Sequence, residues 1–208
     1  MRVDILRPLG VNFSSDLSFT EHLSKIRSSF YKKLGVILRC KSLLPDDSIL
    51  PLFTSCIRPV MQYAYPLFAG APKSHIAPLQ HIQSRSVRAA TFGNTKAKTP
   101  QLIQERFDVA SMSVFYKYLY NPTSEELSKL VPDKAKPLRS TRRSTARQDY
   151  LEQGTLRQEY LKRSFAWRSV ATWNRLPAEV IPKNPSLDAF KRRYNKYLSV
   201  RKRGNYQD

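Results

Sequence analysis

The sequence predicts a mainly α protein. A helical bundle follows a short N-terminal β-hairpin, and a second small helical lobe lies beyond a basic linker. Three observations predict this. Apolar residues recur at helical spacing through most of the chain. Prolines and capping residues divide those periodic stretches. Residues 131–148 carry Lys134, Lys136, Arg139, Arg142, Arg143 and Arg147 but no aromatic. The expected organisation is strands in 1–18, a helical domain in 19–130, a mobile basic linker in 131–150, a helical lobe in 151–200 and a basic tail in 201–208.

Taken in order, Val3–Leu6 and Leu9–Phe13 are rich in Val, Ile, Leu and Phe and read as two short strands. A hairpin of that size is marginal alone in water. Ser18 and Glu21 have the spacing of a capping box. Phe19, Leu23, Ile26, Phe30, Leu34 and Ile37 then give one apolar stripe, a helix running to about Cys40. Gly35 weakens it locally. Pro45 ends that region, and Asp46-Asp47 is placed to cap the next helix.

The stretch from Leu52 to Gly93 is the most apolar in the chain. It reads as two helices joined by a turn. Phe53, Cys56, Ile57, Val60, Ala64 and Leu67 form the expected stripe of the first. Pro59 should kink it, because proline has no N–H and its ring clashes with the carbonyl four residues back. Pro66 and the Ala-Gly-Ala-Pro run at 69–72 should stop it. The second helix carries Ile76, Leu79, Ile82, Val87 and Ala90 inward, and Gln80, His81, Gln83, Arg85 and Arg88 outward. Gly93 suits its C-cap.

Beyond a basic loop at 94–98, Thr99-Pro100 is a helix start. A short helix with Leu102, Ile103 and Phe107 inward is expected. Asp108 then caps another, lined by Val109, Met112, Phe115, Tyr116 and Leu119. Thr123 and Glu126 form a second capping box, leading to Leu130. The 131–148 segment buries too little to offset its ordering entropy. In the last third, Phe165, Ser169, Val170 and Trp173 share a face that ends before Leu176-Pro177. Pro182 and Pro185 hold an extended connection. Ser186 caps a final helix with Leu187, Phe190, Tyr194, Tyr197 and Leu198 on one stripe.

Composition narrows the function. The 208 residues include 36 Lys and Arg against 16 Asp and Glu, a net charge of +20. Such an excess opposes compaction and favours a polyanionic partner. RNA, DNA or an RNA–DNA hybrid fits best. No apolar run approaches the length of a membrane span, and the N-terminus lacks the apolar core of a signal peptide. Cys40 and Cys56 fall on predicted apolar faces, as buried free thiols in a reducing compartment. The expectation is an intracellular protein, nuclear or cytoplasmic and not secreted, with no membrane partner.

Chemistry-bearing patterns are missing. His22, His75 and His81 with the two cysteines give no metal-ligand spacing. Asp46-Asp47 is explained by capping, and a two-metal site needs further converging acids. There is no glycine-rich phosphate loop and no nucleophile context. The sequence therefore predicts no cofactor, no metal and no catalytic residue of its own. What remains are basic faces. The candidate nucleic-acid-binding residues are Lys25, Arg27, Lys32, Lys33, Arg85, Arg88, Arg139, Arg142, Arg143, Arg147, Lys191, Arg192, Arg193 and Lys196. Lys and Arg supply sequence-independent affinity for phosphate. Phe115, Phe165, Trp173, Phe190 and Tyr194 sit at core spacing and read as packing.

Four motifs carry a family resemblance. Leu9-Gly10-Val11, then Leu17-Ser18-Phe19 with Glu21-His22, resemble a segment of non-LTR (LINE-type, jockey-like) retrotransposon reverse transcriptases at the start of the thumb. Ser55 to Ala71, SCIRPVMQYAYPLFAGA, is similar to that family's thumb helix. Leu79 to Arg88 resembles its L-x-x-(I/L)Q-x-x-(A/S)-x-R. Ser164-Phe165, Trp173-Asn174-Arg175-Leu176-Pro177 and Leu187 to Lys191 resemble the ending of such elements. The chain departs from the family at Arg7-Pro8, where Lys or Tyr is usual, and at Phe68, where Trp is commoner. The catalytic F/Y-A-D-D motif is not in the sequence.

The resemblance implies the thumb and C-terminal region of an RNA-directed DNA polymerase without its catalytic palm. The N-terminal strands would be a remnant of the palm–thumb junction. The fragment would be non-catalytic, and would grip template–primer or element RNA through basic helix faces. The rest of a reverse transcriptase is a further implied partner. Two alternatives stand beside this reading: a helical protein-interaction module, and a pseudogene product without function.

Overall fold

The computed structural model describes residues 5–45, 48–90, 103–121, 125–126, 133–134, 149–182, 184 and 186–204. The protein is mainly helical, as the sequence predicts. Its contacts divide it into two compact units, Met1–Phe107 and Asp108–Asp208. The boundary falls at Phe107–Asp108; of the linker expected at 131–150, only 133–134 and 149–150 lie among the described residues. Met112, Phe115 and Tyr116 share a core with Leu151, Val170, Trp173 and Phe190, so packing assigns them to the C-terminal unit.

The first unit begins with β1 (Ile5–Leu6) and β2 (Phe13–Ser14), paired antiparallel with Ile5 opposite Ser14 and Leu6 opposite Phe13. The second strand is shorter than expected and displaced. Pro8–Gly10 forms a 3-10 turn in which Leu9 (φ 49°) and Gly10 (φ 81°) are both left-handed. Tyr63 Oη donates to the Leu9 carbonyl at 2.7 Å.

Helix α1 spans Thr20–Arg39. Its stripe is the one predicted: Phe19, Leu23, Ile26 and Phe30 are buried, and Leu34 and Ile37 pack beside them. The capping box does not form. Phe19 enters the helix left-handed (φ 54°), no side chain caps the first turn, and Glu21 pairs with Lys25 instead. Burial of the Phe19 ring, which meets Phe13 at 5.4 Å and Phe68 at 6.4 Å, sets the entry.

The central stretch is more broken than one kinked helix. Helix α2 (Ile49–Leu52) runs into a π-helical turn at Phe53–Ile57, followed by α3 (Arg58–Gln62). The Arg58 N–H reaches the Phe53 carbonyl, five residues back. This wide turn leads into Pro59 and relieves the clash that its ring would make in a regular helix. Tyr63 is extended, Ala64 is left-handed (φ 54°), and Pro66 helps start α4 (Tyr65–Phe68) rather than stopping a helix. The buried stripe is consequently Phe53, Ile57, Met61, Tyr65 and Phe68, while Cys56 and Leu67 are exposed. A step of four residues overshoots a 3.6-residue turn, and the wide π turn reduces that drift.

Helix α5 spans Lys73–Ala90 with Pro78 inside it. Ile76, Leu79, Ile82 and Val87 are buried as predicted. Gln83, expected outward, is buried too, beside Ser86, whose hydroxyl bonds the Ile82 carbonyl at 2.7 Å. The expected caps at Asp46-Asp47, Gly93, Thr99-Pro100 and Thr123 lie outside the described residues.

Helix α6 (Ile103–Tyr120) is one helix, not two. Asp108 lies mid-helix, not at a helix start. Ile103 and Phe107 complete the core of the first unit. The rest of α6 belongs to the second unit, with α7 (Phe165–Arg175) and α8 (Leu187–Gly204). Ser164 caps α7 by accepting from the Trp167 N–H at 3.4 Å, and Ser186 caps α8 by accepting from Ala189 at the same distance. The Ser186 N–H donates to Tyr116 Oη at 3.0 Å. Helix α8 continues through Arg201–Arg203, which were expected to be a loose tail. No breaker precedes Gly204, and cations suit the negative end of the helix dipole.

The core of the second unit is aromatic. Trp173 lies 6.1 Å from Phe115 and 6.0 Å from Phe190, and Phe190 stacks on Tyr116 at 4.5 Å and on Tyr194 at 5.7 Å. Phe115, Trp173, Phe190 and Tyr194 are buried and Phe165 packs partly buried beside them, so all five pack as the spacing predicts.

Candidate nucleic-acid interface

The cations on α1, the four predicted ones and Arg39, do not form one patch. Lys25, Lys32 and Arg39 recur every two turns and lie opposite the buried stripe. Arg27 flanks that stripe on one side and Lys33 on the other. All are exposed. Lys25 meets Glu21 at 2.9 Å, and Arg7 reaches the same carboxylate at 3.6 Å. The Lys25 hydrogen bond holds the Glu21 carboxyl below its ordinary value. Lys33 donates to the Cys56 carbonyl at 3.4 Å, and Arg39 to the Gly35 carbonyl at 3.1 Å. Lys32 has no hydrogen-bond or ion-pair partner among the described residues.

Arg27 instead faces α5. It lines a hollow of about 180 Å³ with Thr20, Ser24, Ser74 and His75, floored by Leu23 and Leu79. Thr20 Oγ1 lies 3.3 Å from His75 Nδ1. Farther along the same two helices is a second hollow of about 220 Å³, lined by Tyr31, Leu34, Leu38, Ile82 and Arg85, with Gly35 at its edge. Tyr31 is 48% exposed. The groove along α1 and α5 thus consists of two separate hollows, one presenting Arg27, hydroxyls and an imidazole, the other an open aromatic ring beside Arg85. Such a surface can pair with phosphate and stack on a base. Arg88 lies three residues beyond Arg85 and is also exposed.

In the second unit, Arg192 and Lys196 are exposed on α8, and Lys191 is half-buried. Arg193 is committed elsewhere: its Nη1 donates to the Glu179 carbonyl at 3.2 Å and the Ile181 carbonyl at 3.3 Å, tying down the 3-10 turn Ala178–Val180. Arg139, Arg142, Arg143 and Arg147 lie outside the described residues. Cys40 is half-buried and Cys56 exposed, which corrects the expectation of two buried thiols. The π turn rotates Cys56 away from the stripe.

Sequence reasoning missed Arg58 and Arg106. Both are half-buried in the first unit. With the Gln62 amide oriented to satisfy both groups, its oxygen accepts from Arg106 Nη2 at 3.0 Å and Nε at 2.8 Å. Arg58 and Gln62 share a face of α3, one turn apart. The only signal for Arg58 was a cation inside the most apolar stretch, and nothing marked Arg106.

Among the described residues, no three His, Cys, Asp or Glu side chains gather around a common point that could hold a metal ion. No helix among them is long and apolar enough to cross a membrane. Comparison of the chain with protein-family models, curated proteins and solved structures finds no match.

Proposed function

We propose that this chain is a non-catalytic nucleic-acid-binding module that grips duplex or heteroduplex along the α1–α5 groove. The observation that carries the reading is the groove itself. Arg27 and Arg85 flank an exposed Tyr31 on two helices of a chain with net charge +20. Charge supplies the affinity, and the aromatic ring gives a place for an unpaired base at a primer–template junction. The motif resemblance to the thumb of non-LTR retrotransposon reverse transcriptases supports the same class. Under that reading the substrate is a template–primer or element RNA, the site of action is intracellular, and the rest of a polymerase is a further partner.

The test is salt-titrated binding of the purified chain to duplex DNA, an RNA–DNA primer–template and single-stranded RNA. Contact with about six phosphates gives a slope near −5 in log affinity against log salt. The primer–template is expected to bind best, and Tyr31→Ala to remove that preference while leaving the slope. A slope near zero on every nucleic acid would sink the proposal.

A further inference from the structure

Charged groups are withdrawn from water only when something compensates them. Arg58 and Arg106 are half-buried, and no carboxylate among the described residues pairs with either. Arg58 Nε is buried with no hydrogen-bond partner among the described residues. Arg106 spends Nε and Nη2 on the Gln62 oxygen, a neutral acceptor that orients the guanidinium without cancelling its charge. Gln62 is one turn from Arg58 on α3, so this bond brings the second cation onto the helix face that carries the first. Burial pushes both guanidiniums below their ordinary range, and the charge of Arg58 adds to the effect at Arg106. The charge of Arg58 therefore acts on Arg106, and no carboxylate among the described residues offsets it.

We infer that Arg58 and Arg106, with Gln62 as the positioning residue, form an oxyanion site that takes one backbone phosphate of the bound nucleic acid. Guanidinium forks match the geometry of a phosphodiester's two free oxygens and bind them by charge-assisted hydrogen bonds. The Arg58 guanidinium is half-buried and has no carboxylate partner among the described residues, so a phosphate against its open side would offset its charge. The site rests on the nucleic-acid reading above, and adds to the α1–α5 groove a contact fixed in position by Gln62 rather than carried on a long exposed side chain. Free inorganic phosphate shares the chemistry.

The test uses the full chain and the double variant Arg58→Met/Arg106→Met, which keeps side-chain length and removes both charges. The variant is expected to bind the primer–template about tenfold more weakly at about 0.1 M salt, with a slope smaller by about one. Inorganic phosphate is expected to raise the melting temperature of the parent chain and not that of the variant. Without any anion the variant should melt no lower than the parent, since the uncompensated pair is gone. If the double variant fails to fold by circular dichroism, Arg106→Lys decides, because it keeps the charge and loses the fork. Its expected signature is weaker binding at an unchanged slope, and unchanged binding overturns the site. A parent chain that binds nucleic acid while the variant binds it equally well, with the same slope, overturns the site and leaves the functional reading standing. A parent chain that binds none overturns both.

Discussion

Asn174 holds the backbone of Leu151 by both ends of its amide. Its Oδ1 accepts from the Leu151 N–H at 3.0 Å, and its Nδ2 donates to the Leu151 carbonyl at 2.9 Å. The side chain thus stands in for a paired strand. Next to it, Trp173 Nε1 donates to the Asp149 carbonyl at 2.9 Å. Leu151 also bridges to Lys134, and the Glu152 N–H reaches the Asp133 carbonyl at 2.8 Å. The Trp-Asn pair read as a sequence motif therefore has a structural job: it fastens the backbone at 149–151 to α7.

Replacing Asn174 with Asp should cost about 2–3 kcal/mol, because a carboxylate cannot donate to the Leu151 carbonyl and faces it with like partial charge. Asn174→Ala should cost about 1–2 kcal/mol by the same principle. Urea unfolding followed by tryptophan fluorescence measures both. Equal stability of Asn174→Asp and the parent would mean that the clip is ornamental.

His22 gives the fold a pH dependence. It is buried, edge-on to Phe68 at 5.3 Å, with Nε2 unpartnered among the described residues. Burial, and then the Lys25 charge, push its pKa below the ordinary 6.5. The unfolded chain therefore binds a proton that the folded chain refuses. Stability is full above about 6.5 and falls as pH drops towards the folded-state value. Thermal melts from about pH 7.5 to about pH 5 should show the loss in the parent and a flatter profile in His22→Phe.

Asp16 adds a separate acid limb. Hydrogen bonds from the Ser14 hydroxyl and the Ser18 N–H lower its pKa from 3.8 to about 2. Its contribution is present above 3.8 and disappears as pH falls to about 2. The carboxylate is near the surface, so the effect is small. Asp16→Asn should flatten the melting curve below about pH 4 and leave the His22 limb untouched.

The two thiols should react at different rates. Cys56 is exposed and Cys40 half-buried. Under native conditions a thiol reagent should label Cys56 first, and Cys56→Ser should remove the fast phase. Access governs the order here. A single slow phase for both thiols would place Cys56 inside, where the periodicity put it.

Leu9 offers a stabilising change. It is left-handed at φ 49° and 88% exposed, so its side chain contributes strain and little packing. Asn tolerates this conformation better. Leu9→Asn should add about 0.5–1 kcal/mol, read as a melting point raised by roughly 1–4 °C. A lower melting point would show that the Leu9 side chain matters to packing after all.

The parts of the fold visible in the sequence are those where local pattern and burial agree. The stripes of α1, α7 and α8 run through unbroken helices, so counting by turns finds their cores. It fails where backbone geometry departs from the ideal period. The π turn shifted Cys56 out and brought Met61 into the stripe, and the left-handed Phe19 replaced a capping box that looked complete. Asp108 resembled a cap because its residue type suits one, yet α6 passes straight through it. The candidate site was half legible. Exposed cations could be counted from spacing, but which of them share a groove depends on how α5 lies against α1. Arg58 and Arg106 are far apart in sequence and meet through Gln62, a juxtaposition that no local pattern encodes.

The π turn at Phe53–Ile57 has an evolutionary consequence. It is a one-residue accommodation inside an otherwise helical run, so residue count and angular position are indexed to each other there. Losing one residue from it would advance everything up to Gln62 by about 1.5 Å and turn it by about 100°. Met61 would leave the core, and Arg58 and Gln62 would swing away from Arg106 together. Side-chain exchange at the exposed Ser55 and Cys56 leaves that indexing intact, but a change of length at that spot would dismantle the stripe and the cationic pair in a single step.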